Sequence, residues 1–391
     1  MKSNSIFLFY VTLVTGLCCC SPKGDSSLSE VIVNGKKMYI TSLNELKSNV
    51  VSVPLSYLVE DCYLVQLETK EEAYFRPWFT TVTEKYIGIR DKQSRPYKLF
   101  DRSGKFLCSV GAIGRGPGEY SDILYDDIID DENSLIYLAP FTGNKIYVYN
   151  TSGQFVKDIV SPQDLVKPKL FLSDNILTVV HMPMIFEYNP DVNLSDAISI
   201  QFDVNTGNVL RKLAPSSHFI VPDFDGEIFN TRNAPDIFDF LQTSCDTLYH
   251  LDVKNNKILP FFKIKYTSSD QSYKQIFQIN KDLVITHVWG DKGGFVASDL
   301  KRKSSSWLTV VNDYYGNMTV PISPVTFRNG YWVLNIQSED LMEDIEKHLE
   351  KVSLSDKDRQ VLKRTLSTLK EGTNNVVFIG KLKNEVKTKL W

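Results

Sequence analysis

Six acidic side chains fall within eleven residues, at Asp122, Asp126, Asp127, Asp130, Asp131 and Glu132. Carboxylate oxygens at that density are the hard ligands that Ca²⁺ takes. The Asp-x-Asp-x-Asp-Gly order of a calcium loop is missing, however. A Ca²⁺ site would need acids from other parts of the chain, and solvated turns are the expected role. Just upstream, residues 111–120 hold four glycines and a proline. Successive backbone N–H groups in such a loop can cradle an anion. Arg115 can pair with a ligand carboxylate or phosphate, or with Glu119. No Gly-Lys-Ser/Thr follows, and no strand–loop–helix context surrounds the loop, so a nucleotide cradle is not indicated. The expected role is a stiff joint between sheet units, with Arg115, Glu119 and Tyr120 as its ligand-binding candidates.

A second kind of chemistry is stacking. Tyr74, Phe75, Trp78 and Phe79, with Arg76 among them, are broken by Pro77. Such a cluster suits a sugar ring or a partner surface. Trp289, beside a Gly-Asp-Lys-Gly-Gly stretch, is the other loop aromatic. Packing between sheets is the expected role of both, with Arg76, Trp78 and Trp289 kept as binding candidates. Histidines 181, 218, 250, 287 and 348 show no paired spacing, so no zinc site is expected. No Gly-x-Ser-x-Gly elbow is present. No catalytic residue and no metal ligand is assigned.

The elements that must position these side chains are strands. Aromatic residues make up 12% of the chain, which favours a pleated scaffold. The net charge of −3 gives no broad basic field, so nucleic acid is not an expected partner. Asn34-Gly35 between short apolar runs signals a hairpin. A strand, a polar turn and a second strand then recur. The turns align on Gly104, Gly153, Gly207, Asn256 and, more weakly, Gly316, at spacings of 49, 54, 49 and 60 residues. That period is one four-stranded propeller blade with its loops. Residues 338–371 break the pattern with apolar residues at helical spacing, and Ser338 and Ser355 are expected N-caps. The expectation is an all-β, six-bladed β-propeller over 31–391, with a small α-helical insertion at 338–371.

The N-terminus carries a different signal. Lys2, an apolar run over 6–17, and then Cys18-Cys19-Cys20 resemble a bacterial lipoprotein signal. Leu17, three residues before Cys20, makes Cys20 the expected acylated residue and mature N-terminus, with Cys19 second. Residues 21–30 read as a tether. Only Cys62, Cys108 and Cys245 remain in the body, without paired spacing, so no disulfide framework is expected.

Taken together, the signal, the Leu-Phe-Asp-x-x-Gly-Lys strand unit, the Gly-Arg-Gly-Pro-Gly-Glu-Tyr loop, Asp246-Thr247-Leu248-Tyr249 and the late helical insertion resemble the six-bladed β-propeller lipoproteins of Bacteroidetes, which are similar in shape to NHL-type propellers. The resemblance implies fold and address and hands over no catalytic residue. It implies a cell-envelope protein, lipid-anchored to the outer membrane on either its periplasmic or its surface face. Binding of a glycan, a peptide or another envelope protein is the expected function, with no cofactor. A metal-dependent hydrolase or lyase of the lactonase-like propeller type is the competing reading, and Ca²⁺ would belong to it.

Overall fold

The computed structural model describes residues 27–385, apart from 48, 94, 185–195, 222–225, 244, 267–273, 290–292 and 322–324. The signal segment and Cys20 lie outside the described residues. Short β-branched and aromatic runs, cut by Asp/Asn turns, pair with their immediate neighbours as antiparallel strands. Six such meanders follow one another around an axis. Blade 1 is Pro77–Val82, Tyr86–Asp91, Tyr97–Asp101 and Phe106–Val110. Blade 2 is Leu124–Asp130, Leu135–Pro140, Thr142–Asn150 and Phe155–Val166. Blade 3 is Lys169–Ser173, Ile176–Val180, Ser199–Asp203 and Val209–Leu213. Blades 4 and 5 begin at Ile228–Thr231 and Lys274–Asn280. Blade 6 takes Val325–Arg328, Tyr331–Ile336 and Val376–Lys381 from the end of the chain and Tyr63–Gln66 from its beginning. The last pair, with Val377 opposite Val65, closes the ring.

The N-terminal residues also cover outer edges. The hairpin of Leu28–Val33 and Lys36–Ser42 turns at Asn34 and Gly35, both with positive φ. It begins at Leu28, inside the stretch read as a tether. Its second strand runs parallel to Lys257–Lys265 of blade 4. Val50–Pro54 runs parallel to Ser304–Asn312 of blade 5. An open strand edge invites foreign pairing, and these additions remove two of them.

Each sheet is sandwiched between two others, so middle strands are apolar on both faces. Leu283–Val288 is buried at every position, whereas the outer strand Val209–Leu213 of blade 3 is exposed along most of its length. The described core divides into six hydrophobic clusters, one for each seam between neighbouring blades. Each fully buried Leu, Ile or Phe in them contributes about 1.5–3 kcal/mol. In the seam of blades 5 and 6, Leu341 and Ile345 of α1 (Ser338–Leu349) and Leu362 of α2 (Asp356–Thr368) join the cluster. Both helices sit between the second and third strands of blade 6. Ser355 caps α2 through the Asp358 N–H at 3.1 Å. Ser338 is not a cap: it is the first helical residue, and its Oγ donates to the Lys370 carbonyl.

Four repeat turns lie between the third and fourth strands of blades 1 to 4, with Gly104, Gly153, Gly207 and Asn256 at positive φ. The fifth is displaced. Gly316 belongs to a short outer hairpin with Met318–Thr319, and the equivalent turn of blade 5 is at 299–304, with Lys303 at φ 53°. A lysine in that conformation carries none of the Gly or Asn signature that marks the other four.

Candidate functional site

Inner strands all begin on one face of the disc, called here the upper face. The chain entering blade 1 at Phe75–Thr80 meets the end of the second strand of blade 6 and α1 on this face. Between them lies a cavity of about 860 Å³. Trp78 and Phe79 form one wall, their rings 5.6 Å apart, and Trp78 packs edge-on against Tyr125 at 5.3 Å. The opposite wall is polar. Asn375 donates to Asn335 at 2.7 Å, and Asn335 donates to Thr80 at 2.9 Å, so this amide wall is held rigid. Thr326 Oγ1 also lines the cavity and finds no hydrogen-bond partner among the described residues. The amphipathic α1 buries Leu341 and Ile345, which turns Asp340, Glu343 and Asp344 to the cavity rim, with Arg76 and Lys92 also at the cavity.

Below the aromatic wall, the axis is charged. Asp126 and Asp127 sit side by side on the inner strand of blade 2, both fully buried. Asp126 accepts from Arg328 Nη2 of blade 6 at 2.7 Å, the Leu170 N–H of blade 3 at 2.7 Å and Asn230 Nδ2 of blade 4 at 3.1 Å. Asp127 lies 2.7 Å from Arg90 Nε and accepts from Tyr97 Oη at 2.9 Å, both in blade 1. Burial alone would raise the Asp126 pKa, but the Arg328, Lys169 and Arg90 charges overcome it and hold the group at about 2. These two acids are therefore not solvated turns. Their carboxylates are occupied by guanidinium groups, and no cluster of three or more His, Cys, Asp or Glu suited to a metal occurs among the described residues. Asp130 and Asp131 do behave as turn residues: Asp130 accepts from the Glu132 and Asn133 N–H groups, and Asp131 from Thr83 and Lys85.

A profile of a domain of unknown function, DUF4934, matches residues 38–381, which is the whole ring of blades. The chain belongs to the DUF4934 family. Among solved structures, one from Bacteroides fragilis, described as a "putative exported protein", is similar over 86% of this chain and 100% of its own, at 15% identity and a TM-score of 0.59. A member of the DUF4221 family from Bacteroides vulgatus aligns over 93% of this chain and 100% of its own, at 10% identity and a TM-score of 0.46. At such identities the first likeness speaks for the fold alone. A comparison with curated protein sequences finds no match.

In this DUF4934 chain the six binding candidates separate into three places. Arg76 and Trp78 line the upper cavity. Arg115, Glu119 and Tyr120 stay in the joint between blades 1 and 2, and Trp289 is half-buried beyond the second strand of blade 5. Tyr120 is fully buried, accepts the Tyr97 N–H and donates to the Val110 carbonyl, so it pins the joint. Glu119 folds back to accept the Gly116 N–H at 2.8 Å through Oε2, a local closure of the loop. Arg115 is exposed. Cys62, Cys108 and Cys245 are half-buried, and no disulfide joins them. The axial residues Arg90, Lys169 and Arg328 were missed. The available signal was two adjacent acids inside an apolar strand, Leu-Tyr-Asp-Asp-Ile-Ile, where a solvated turn would be flanked by polar residues.

On the lower face a cavity of about 430 Å³ holds His250. Its Nδ1 lies 2.9 Å from the buried Asp239, and that hydrogen bond raises the imidazole pKa. Burial raises the Asp239 pKa in turn.

Proposed function

We propose that this protein is an exported, lipid-anchored binding module of the cell envelope, and that its upper-face cavity takes a glycan. The observation that carries the reading is the cavity itself: a Trp78–Phe79 wall facing a fixed amide wall, with acids at the rim. A sugar ring offers an apolar face to an aromatic side chain and hydroxyls to amides and carboxylates, and this arrangement supplies both. Thr326, whose buried hydroxyl has no partner among the described residues, supports it, because an unpaired polar group favours a ligand that satisfies it. A peptide or envelope-protein ligand engages less of the amide wall. The metal-dependent hydrolase needs free acids at the channel mouth, and the axial pair is already paired with arginines.

The test is calorimetric titration or a glycan array with the mature protein. Trp78→Ala should weaken binding about tenfold, a loss of about 1.4 kcal/mol. Asp340→Asn should weaken it less. A parallel ester and lactone panel run with Ca²⁺, Mg²⁺ and Zn²⁺ provides the opposing outcome. Turnover abolished by EDTA, or binding indifferent to Trp78, would overturn the proposal.

The export reading rests on residues 1–20 and on the description of the Bacteroides fragilis structure. No helix among the described residues is long and apolar enough to cross a membrane, and a lipid on Cys20 would hold the propeller at the bilayer. Mass spectrometry of the membrane fraction should find a diacyl or triacyl mass on the peptide beginning at Cys20. An unmodified N-terminus beyond Cys20 would refute the anchor.

A further inference from the structure

The axial cluster holds more basic than acidic side chains, and burial lowers the Lys169 pKa well below its ordinary value, so its ammonium needs a nearby negative charge to persist. Arg90, Lys169 and Arg328 are each less than a tenth exposed, against two buried carboxylates, Asp126 and Asp127. Arg232, half-buried at the lower end of the same axis, adds a fourth cation, and its Nε donates to Asn329 and not to an acid. The excess is also local. Arg90 Nη1 and Lys169 Nζ both donate to one oxygen, the Tyr125 carbonyl, which brings two basic groups to a single acceptor. Phe79 covers the pair, with the Arg90 guanidinium 4.5 Å and the Lys169 ammonium 5.9 Å from its ring centre. The pairing is also incomplete. Arg90 Nη2 and Arg328 Nε make no hydrogen bond among the described residues, and the nearest carboxylate oxygen recorded for Arg90 Nη2, Asp126 Oδ1, is 3.8 Å away. Aromatic faces soften an isolated cation but do not neutralise it. A buried charge without a counter-charge is costly, and a buried guanidinium N–H without an acceptor adds to that cost. One occupant removes both penalties.

We propose that the axis binds one small anion, a halide or a compact oxyanion such as phosphate or a carboxylate, through Arg90, Lys169 and Arg328. The site is distinct from the upper cavity, from which Phe79 separates it. Its ligand needs only negative charge and acceptor lone pairs, and the anion would complete the contacts that Asp126 makes among blades 2, 3, 4 and 6.

The experiment uses the mature protein, exchanged into a buffer whose only anion is too large for the axis. Chloride, phosphate and acetate are titrated separately while thermal unfolding is followed. The expected result is a saturable rise in melting temperature with at least one of them, roughly 3–5 °C at a hundredfold excess over its Kd, above the shallow unsaturable slope that any salt produces. The best of the three identifies the anion. Lys169→Met should abolish the saturable part and keep the shallow slope. If that variant does not fold, calorimetric titration of the wild type with the same anions decides, with one site per chain expected. The absence of saturation with all three anions would overturn the proposal and imply a neutral Lys169. Unchanged saturation in Lys169→Met would overturn it too, by placing the ion elsewhere.

Discussion

Asp126→Ala should destabilise the propeller by about 3–5 kcal/mol, the range for removing one partner of a buried charge pair. The residue is the hub of the axis: blades 3, 4 and 6 donate to it directly, and Arg90 of blade 1 approaches to 3.8 Å. Its loss leaves Arg328 buried without its closest counter-charge and the Leu170 N–H without an acceptor. Urea or thermal unfolding checks this, and a loss below about 1 kcal/mol would show that the pairing adds little beyond its own desolvation cost. Asp126→Asn keeps an acceptor for Leu170 but turns an amide donor toward the guanidinium, so it should fall between wild type and alanine. The same carboxylate predicts acid behaviour. Its folded pKa of about 2 lies below the unfolded value, so its contribution is fully present above the unfolded pKa, about 3.9. The contribution is lost as pH falls toward 2. At roughly 1.4 kcal/mol per unit this amounts to about 2.5 kcal/mol. Asp126→Asn should flatten the pH dependence in that window.

Gly104→Val should be the most damaging of the turn-glycine changes. Gly104 has φ +90°, and a Cβ there would lie 2.2 Å from the Gln66 carbonyl and 2.8 Å from Val65. The obstacle is the backbone of the strand that closes the ring, which cannot swing aside. The Gly104 carbonyl also accepts the Glu68 N–H at 2.8 Å across the same seam. Positive-φ strain of about 1–3 kcal/mol therefore adds to the opening of the contact between blades 1 and 6. The glycine loop provides the comparison. At Gly118, φ +70°, a Cβ meets Phe155 Cγ at 2.5 Å and its Cβ at 2.7 Å, but these belong to a side chain that is 40% exposed on an outer strand and not to a backbone carbonyl. Gly118→Val should thus cost less than Gly104→Val. Gly116, without positive φ and with only the Glu119 carboxylate at 3.1 Å, should tolerate alanine. Equal melting temperatures for the Gly104 and Gly118 variants would refute the ranking.

The blade count, most hairpins and the helical insertion were legible in the sequence because they are set by neighbours along the chain. Asn34-Gly35 dictates its turn, Asp101 with Gly104 and Asp203 with Gly207 dictate theirs, and Ser355 with Asp358 caps α2. Where the local signal failed, as with Lys303 in place of a glycine or Ser338 in place of Gln337, the placement failed with it. The candidate sites followed other rules. Trp78 was kept as a candidate because Pro77 places it near a strand end, but its cavity needs Asn335, Asn375 and α1, which blade 6 brings to blade 1 only when Tyr63–Gln66 pairs with Val376–Lys381 and the ring closes. Tyr120 looked like a loop residue and became a buried pin because the joint folds over Val110. Asp126 and Asp127 were grouped with their neighbours Asp130 and Asp131 despite the apolar strand around them, and what they pair with is decided only by the convergence of six inner strands on one axis. A strand's own sequence sets its pairing and its turns; what its inward side chains meet depends on the other blades, and that information is spread over the whole chain.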